Sequence, residues 1–343
     1  MEPGIEMTTT YQRIVLASRP HGGPVKPEHF RLEQVPVPTI GQGQVLVRNH
    51  YLSLDPYMRG RMEDIKSYAT PQPIGETMIG GTVGVVEQSQ NPRFAPGDAV
   101  AGHFGWQEYG VSDGKGLNKL DTRQIPMSAY LGPVGMPGVT AWYGLRRICQ
   151  PKPGETILVS AASGAVGSVV GQLAQATGCR VVGIAGGPAK CAYVRDELGF
   201  DACLDHRELP DVRSMSQALK EAAPGGIDCV FENVGGICLD AALSRMNAFG
   251  RIAVCGLIAG YDGSDIAIHN VRALLVQRLT LRGFIVSEHL DAWPEALAEL
   301  GPGVATGKIK YRESIAQGLA AAPEAFIGLL KGRNFGKQLV KLV

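Results

Sequence analysis

The stretch that decides the fold is Thr156-Ile-Leu-Val-Ser-Ala-Ala-Ser-Gly-Ala-Val-Gly-Ser-Val-Val-Gly171. It begins as an apolar strand, passes through a turn rich in glycine and alanine, and continues as an amphipathic helix. Gly164 permits a tight turn and a close approach to an anion, and Gly167 lets the helix pack against the strand. The first N–H groups of such a helix attract a pyrophosphate. The pattern predicts a dinucleotide-binding turn, with a glycine-rich packing turn as the alternative.

The turn departs from the usual G-x-G-x-x-G pattern at one position, where Ala162 replaces the first glycine. A glycine-rich turn alone is weak evidence, but here it lies between a strand and a helix, which is the context that the motif requires. The residues of the turn predicted to contact the cofactor are Ala162, Gly164, Ala165, Val166 and Gly167.

The end of the next predicted strand, Arg180–Ile184, indicates which dinucleotide binds. Proteins that bind NAD place Asp or Glu there to hold the ribose 2′-hydroxyl. This chain has Gly186-Gly-Pro-Ala-Lys190 instead, and the first charge is the ammonium of Lys190. An ammonium at this point can pair with a 2′-phosphate. Gly187 and Lys190 are therefore predicted to bind NADP(H), and a solvated helix lysine is the alternative.

Strand-like and helix-like segments alternate over residues 140–290. The predicted strands are Thr156–Ser160, Arg180–Ile184, Ala202–Asp205, Asp228–Phe231, Arg251–Cys255 and Leu279–Val286. The helical segments between them include Pro188–Leu198, Val212–Ala222 and Ile237–Met246. Such alternation predicts an α/β domain with a doubly wound parallel sheet of the Rossmann type.

The two ends of the chain share another pattern. Residues 1–130 combine many Pro and Gly residues with short apolar alternations, which is typical of antiparallel strands. The tail adds a helix at Ala325–Leu330 and an alternating strand at Lys337–Leu342. We therefore predict a GroES-like, mostly antiparallel β-barrel domain split across both termini (1–135 and 300–343) around a dinucleotide-binding domain (136–299).

Composition excludes several function classes. Lys plus Arg is 33 and Asp plus Glu is 32 in 343 residues, so no global field recruits nucleic acid or an anionic membrane. The seven cysteines include no Cys-x-x-Cys and none lies before Cys149, which argues against a disulfide framework and a structural zinc site. The N-terminus shows no signal or transit peptide. The stretch 156–179 is uncharged, but Gly and polar residues interrupt it, which argues against a membrane span. A cytoplasmic protein is expected.

Five motifs resemble a known family along nearly the whole chain. They are Tyr51-Leu-Ser-Leu-Asp-Pro-Tyr-Met-Arg59, Val134-Gly-Met-Pro-Gly-Val-Thr-Ala141, Gly164-Ala-Val-Gly-Ser-Val-Val-Gly171, Glu232-Asn-Val-Gly-Gly236 and Lys331-Gly-Arg-Asn-Phe-Gly-Lys337. Together they resemble the zinc-independent medium-chain reductases, in the branch of prostaglandin and leukotriene reductases, 2-alkenal reductases and curcumin reductases. The resemblance implies NADPH-dependent reduction of a carbon–carbon double bond conjugated to a carbonyl, and a homodimer joined through the nucleotide-binding sheets. A quinone reductase and a non-catalytic NADPH-binding protein are the alternatives.

The resemblance also assigns site residues. Besides Lys190, the implied cofactor contacts are Asn233, Cys255, Tyr261, Phe284, Ile285, Val286 and Asn334. Tyr51 falls near the substrate mouth, and Tyr68 matches a substrate-side tyrosine. For both asparagines, Asn233 and Asn334, a simple turn role is the alternative.

Two of these residues, Tyr261 and Tyr68, also have predicted roles in the reduction of an enone or enal. Tyr261, between glycines in a loop after a strand, and the cofactor's ribose hydroxyl are the two candidates for stabilising the enolate oxygen. The loop of Tyr261 is expected to form a mobile lid over the nicotinamide, and a surface-loop tyrosine is the alternative. Tyr68 is a second catalytic candidate.

His206 stands where the family often has Tyr, and is predicted to face the 2′-phosphate, unless it is a solvated loop histidine.

No metal site is predicted. Related alcohol dehydrogenases hold a catalytic zinc on Cys and on a Gly-His-Glu motif, whereas the matching stretch here reads Gly75-Glu-Thr-Met-Ile-Gly-Gly81. No two of the seven histidines are four residues apart, so the usual helical zinc pair is missing from the sequence.

Overall fold

The computed structural model describes residues 9–343. Most of the N-terminal segment used for the targeting-peptide prediction lies outside the described residues. The described chain forms two compact units. One contains residues 9–131, Ser314–Asn334 and Gln338–Val343, and the other contains Gly132–Glu313 and Phe335–Lys337. Among the described residues, no helix is both long and apolar enough to cross a membrane.

The second unit, called the nucleotide-binding unit below, is built on a six-stranded sheet. Its strands are β8 (Thr156–Val159), β9 (Arg180–Ala185), β10 (Ala202–Asp205), β11 (Ile227–Glu232), β12 (Met246–Val254) and β13 (Thr280–Gly283). They lie in the order β10-β9-β8-β11-β12-β13 and all pairs are parallel. The strand order reverses between β8 and β11, as in doubly wound dinucleotide-binding sheets. The predicted parallel sheet is confirmed.

Seven α-helices belong to this unit. They are α2 (Met136–Tyr143), α3 (Gly167–Ala176), α4 (Pro188–Ala192), α5 (Val212–Ala222), α6 (Gly236–Leu243), α7 (Arg272–Val276) and α8 (Trp293–Ala305). A π-helical turn continues α2 at Gly144–Cys149 and α4 at Tyr193–Glu197. The apolar residues of α5 and α6, such as Leu219 and Leu239, form one buried core with Leu158, Val182 and Val230 of the sheet. That burial fixes the sheet on which the candidate site is built.

The nucleotide-binding unit extends further along the chain than the range 136–299 suggested by the sequence. Helix α8 accounts for this, because it is fastened to the start of the unit. The indole Nε1 of Trp142 donates to Glu299 at 2.6 Å, and Arg146 pairs with the same carboxylate at 2.6 Å. The unit therefore continues to Glu313 and recovers three residues, Phe335–Lys337, near the C-terminus.

The other unit is mainly antiparallel. Its strands are β1 (Thr10–Leu16), β2 (Phe30–Pro36), β3 (Val45–Ser53), β4 (Thr82–Ser89), β5 (Ala99–Gly102), β6 (Tyr109–Ser112), β7 (Asn118–Lys119), β14 (Glu313–Gln317) and β15 (Lys337–Lys341), and its helices are α1 (Tyr57–Arg61) and α9 (Ala322–Leu330). The strands β1 and β2 form a separate ribbon, while the larger sheet has the order β14-β15-β3-β4-β5-β7 with β6 also on β3.

The C-terminal strand completes the larger sheet, as the sequence predicted. Strand β15 pairs antiparallel with β3, with Val340 opposite Leu52. The core beneath is aromatic: the buried ring of Trp106 stacks on Phe30 at 5.2 Å and meets Phe326 of α9 edge-on at 5.7 Å. The N-terminal and C-terminal segments therefore share one hydrophobic core, which explains why this unit is split in sequence.

Candidate functional site

The glycine-rich turn between β8 and α3 has no room for larger side chains. A Cβ on Gly167 would lie 2.4 Å from the carbonyl oxygen of Ala161. Ala162, which replaces the usual first glycine, is buried, and a Cβ on Gly183 of β9 would lie 2.8 Å from its methyl group. The alanine is therefore tolerated because the neighbouring strand supplies a glycine instead. No side chain caps the N-terminus of α3. The amides of Ser168 and Val169 donate to the backbone oxygens of Gly164 and Val166 at 3.1 Å, so an anion would be received by the amides that precede Ser168.

A cluster of basic side chains lies at the carboxyl ends of β9 and β10. A Cβ on Gly186 would lie 2.7 Å from Nε2 of His206, and a Cβ on Gly187 would lie 3.0 Å from Nη1 of Arg207. The Asp205 carboxylate holds this corner together, since its Oδ1 accepts from the amides of Gly187 at 2.8 Å and Arg207 at 3.0 Å. The imidazole and guanidinium thus cover the two glycines directly before α4.

The electrostatics of this basic cluster favour an anion. Burial and repulsion from Arg207 lower the pKa of Lys190 on α4. Desolvation of the ring lowers the pKa of His206, and Arg207 and Lys190 lower it further, although Asp205 opposes them. Cationic side chains that lower one another's pKa are stabilised in their charged forms when a dianion binds between them. Arg207 was overlooked in the sequence, although it follows His206 directly at the end of a predicted strand.

Asn233 at the end of β11 is fixed by protein contacts. Its Nδ2 donates to the backbone oxygen of Ser160 at 2.8 Å, and its own amide donates to Oγ of Ser160 at 2.8 Å. The thiol of Cys255 donates to its Oδ1 at 3.3 Å. The asparagine therefore joins the ends of the two central strands, β8 and β11, rather than acting only as a turn residue.

The neighbouring Glu232 is a buried acid that sequence reasoning missed. Its side chain is 1% exposed. Oε1 accepts from Ser160 Oγ at 2.7 Å and from the amides of Val234 and Gly235 at 2.6 and 2.9 Å, whereas Oε2 has no partner among the described residues. Burial raises its pKa despite these donors. Burial thus shifts this carboxyl group towards its protonated form relative to an exposed glutamate, and the motif Glu232-Asn-Val-Gly-Gly236 was the available signal.

The loop that carries Tyr261 is fastened at its start. Four amides between Cys255 and Ala259 donate to the backbone oxygens of residues 232–234 at 2.9–3.3 Å. Tyr261 follows as a partly exposed residue, and its amide donates to Ile258 at 3.1 Å. A mobile lid that begins at the end of β12 does not fit these bonds, so any moving part of the loop starts after Ala259.

Phe284, Ile285 and Val286 directly follow β13. The ring of Phe284 is buried against Tyr143 at 5.5 Å and against Phe231 at 6.3 Å. This aromatic side chain is therefore part of the core of the unit. A ligand at this strand end would meet the backbone of the segment rather than the Phe284 ring.

The C-terminal segment returns to the glycine-rich turn. Gly336 forms an isolated parallel backbone bridge with Gly164. Asn334, a predicted cofactor contact, is partly buried and lies two residues earlier in the chain. The bridge brings Gly336 to the glycine-rich turn of the same unit, although the two glycines are far apart in sequence.

The substrate candidates lie in the antiparallel unit. Tyr51 on β3 packs against the buried cluster of Val83, Leu131 and Leu339. Tyr68 is 51% exposed, with the guanidinium of Arg61 5.2 Å above its ring. These contacts give Tyr51 a packing role, and leave the Tyr68 ring accessible to a ligand.

A third tyrosine of this unit, Tyr57, was not singled out from the sequence. Burial raises its pKa far above the usual value, and Asp55 and Tyr68 add to this effect. The phenol therefore keeps its proton and remains a hydrogen-bond donor beside Tyr68. Its position in the motif Tyr51–Arg59 was the signal that could have identified it.

Comparisons with known proteins agree with this arrangement. Residues 12–120 match a family model described as the N-terminal domain of oxidoreductase, and residues 165–301 match one described as zinc-binding dehydrogenase. The chain is 48% identical over 338 residues to the NADPH-dependent curcumin reductase of Escherichia coli (strain K12), with 96% of each chain covered. It is 44% identical over 303 residues to the 2-alkenal reductase (NADP(+)-dependent) of Nicotiana tabacum, with 88% of each covered.

A solved structure is similarly close. CurA from Vibrio vulnificus, crystallised in complex with NADPH, superposes with a TM-score of 0.91 at 46% identity, covering 97% of this chain and 99% of that one. Both the sequence relatives and this structure extend over both units. The chain therefore belongs to the branch of the medium-chain dehydrogenases/reductases that contains the curcumin and 2-alkenal reductases.

Proposed function

We propose that this protein is an NADPH-dependent reductase of the carbon–carbon double bond of α,β-unsaturated ketones and aldehydes. The observation that carries the choice of NADPH is the basic cluster of Lys190, His206 and Arg207 at the strand ends where NAD-binding proteins have an acid, and the reaction is inferred from the 48% identity to a curcumin reductase. The relatives named above act on such compounds or bind NADPH by their printed names, and the same cofactor is therefore assigned to this chain.

The residues present fit this cofactor. The uncapped start of α3 with Gly164, Ala165, Val166 and Gly167 suits the pyrophosphate. Lys190 and Arg207 suit the 2′-phosphate, with His206 beside them. The remaining assigned cofactor contacts are Asn233, Cys255, Tyr261, Phe284–Val286 and Asn334. When bound, NADPH supplies the hydride that adds to the β-carbon of the substrate.

The chain's own groups have to hold the charge that develops on the substrate carbonyl oxygen. We assign the hydroxyl of Tyr261 to this oxygen as hydrogen-bond donor. Tyr68, whose ring is exposed beside Arg61, is assigned to orienting the substrate and assisting proton delivery to the α-carbon.

The proposal requires no metal. Although one matched family model is described as zinc-binding, residues 9–343 contain no group of three or more His, Cys, Asp or Glu side chains arranged to hold a metal ion. The donor set for a catalytic zinc, three protein ligands around an open position, is therefore not assembled in this part of the chain.

We further propose a homodimer joined at β13. All four residues of this edge strand are exposed, including Leu281 at 40%. The neighbouring helix α7 exposes Leu275 and Val276. An exposed edge strand with apolar side chains is a template for pairing with a second copy.

A reducing compartment such as the cytoplasm suits the seven free cysteines.

A panel assay tests the function. The purified protein is given NADPH with enones, 2-alkenals, quinones or saturated ketones, and cofactor oxidation is followed together with the product. Turnover of enones and alkenals to saturated carbonyl products is expected. Turnover of quinones alone would assign a quinone reductase, and NADPH binding without any turnover would contradict an enzymatic role.

A further inference from the structure

Within the nucleotide-binding unit, Arg312 contacts the C-terminal segment Phe335–Lys337 through its backbone and its side chain. The backbone oxygen of Arg312 accepts from the amide of Lys337 at 2.8 Å. Gly336 has a φ of +73°, and a Cβ there would lie 2.0 Å from the same oxygen. The backbone of Arg312 is therefore in direct contact with the residue that bridges to Gly164.

The side chain of Arg312 makes a second connection. Its guanidinium lies 4.5 Å from the ring centre of Tyr193 and 4.7 Å from that of Phe335. The two rings meet edge-on at 5.0 Å. Nη2 donates to Glu197 at 2.6 Å, which fixes the orientation of the guanidinium. Phe335 is thereby joined to the π-helical turn Tyr193–Glu197.

These contacts link two parts of the candidate cofactor site, the helix assigned to the 2′-phosphate and the turn assigned to the pyrophosphate. The π-helical turn continues α4, which carries Lys190, while Gly336 bridges to Gly164 in the glycine-rich turn. Arg312 itself lies in neither segment, and none of the motifs recognised in the sequence includes it. Its contacts nevertheless fix the segment that lies on the glycine-rich turn.

We propose that Arg312 is a positioning residue for the dinucleotide, which holds Phe335 and Gly336 so that the glycine-rich turn keeps the shape that receives the pyrophosphate. The inference rests on the proposed placement of the pyrophosphate at Gly164–Gly167. Because NADPH and NADH share the pyrophosphate, the loss of Arg312 weakens both cofactors by the same factor. This distinguishes Arg312 from Lys190 and Arg207, which act on the 2′-phosphate alone.

The test is a calorimetric titration of NADPH and of NADH into the parent and three variants. Arg312→Met removes the guanidinium, and Phe335→Leu removes one ring but leaves the pair of Arg312 with Glu197. Arg195→Met is the matched control, because Arg195 is an exposed arginine on the same turn, 3.9 Å from Asp196. For Arg312→Met, which loses two cation–π contacts, we expect both dissociation constants to rise about 5- to 30-fold, and for Phe335→Leu, which loses one of them, about 2- to 5-fold.

Two further measurements separate positioning from general stability. At saturating NADPH the turnover number with an enone is expected to stay within about twofold of the parent, whereas KM for NADPH rises with Kd. The melting temperature without cofactor reports any structural loss. Dissociation constants unchanged in both variants, or a loss confined to NADPH, would overturn the role proposed for Arg312 while leaving the reductase function intact. A parent protein that binds neither cofactor would instead refute the proposed function.

Discussion

Selection of NADPH over NADH can be tested at Lys190 and Arg207. The perturbations are Lys190→Ala, Arg207→Ala and the double substitution. Each parent side chain can give a charge-assisted contact with the 2′-phosphate, worth about 1.5–3 kcal/mol. Lys190 is only partly buried and Arg207 is exposed, so solvent screening places each contact at the low end of this range. We expect each single substitution to raise Kd for NADPH about 10-fold.

The double variant carries additional information. Repulsion between the two cations contributes to the lowered pKa of Lys190 in the cofactor-free protein. A bound 2′-phosphate relieves this repulsion, which adds to the affinity of the parent for NADPH. Either single substitution removes this contribution, so the second substitution cannot remove it again. The combined effect on NADPH affinity should therefore be smaller than the product of the two single effects.

The assay is calorimetric titration with both cofactors at constant ionic strength. NADH affinity should change by less than about twofold in all variants, since it lacks the group that the two cations bind. Arg195→Ala controls for the loss of one positive charge from the same unit. Equal losses for NADPH and NADH in the Lys190 and Arg207 variants, or equal use of both cofactors by the parent, would refute the reasoning.

Four other outcomes are expected. Tyr261→Phe should lower turnover with an enone by one to three decades, because an oxyanion donor contributes up to about 2.7–4 kcal/mol; unchanged kinetics would remove Tyr261 from the reaction. The lowered pKa of His206 should rise when the 2′-phosphate binds, so NADPH binding takes up protons and tightens as pH falls from about 8.5 to about 6.5; an identical pH profile for His206→Tyr would exclude this residue. Gly167→Ala should weaken both cofactors and lower the melting temperature, because the added methyl group would lie 2.4 Å from a carbonyl oxygen; parental binding would contradict the packing argument. Leu281→Glu should convert a dimer to a monomer in sedimentation experiments, and a parental protein that is already monomeric would refute the proposed interface.

The sequence was sufficient for the framework of the nucleotide-binding unit. Strand Ala202–Asp205 and helix Val212–Ala222 have the predicted bounds, because the alternation of strand-like and helix-like segments marks them locally. Strand β12 begins at Met246, which had been predicted to end a helix. Short apolar segments suit either structure, and only pairing with β11 decides between them.

The contacts between distant residues could not be predicted. Arg207 covers Gly187 because β10 lies beside β9, and Glu232 is enclosed because Ser160 and Gly235 donate to it across the sheet. Arg312 meets Phe335 only through the fold of the C-terminal segment. In each case the residue type was visible in the sequence, but its role depends on partners supplied by other segments.

The central claim is that hydride moves from the nicotinamide of NADPH to the β-carbon of an enone. The most direct measurement is to supply NADPH deuterated at C4 of the nicotinamide, in each of its two stereochemical forms, and to locate the deuterium in the product by NMR. We expect a saturated ketone that carries deuterium at the β-carbon from one of the two forms. Deuterium on a carbinol carbon, or a product with none from either form, would contradict it.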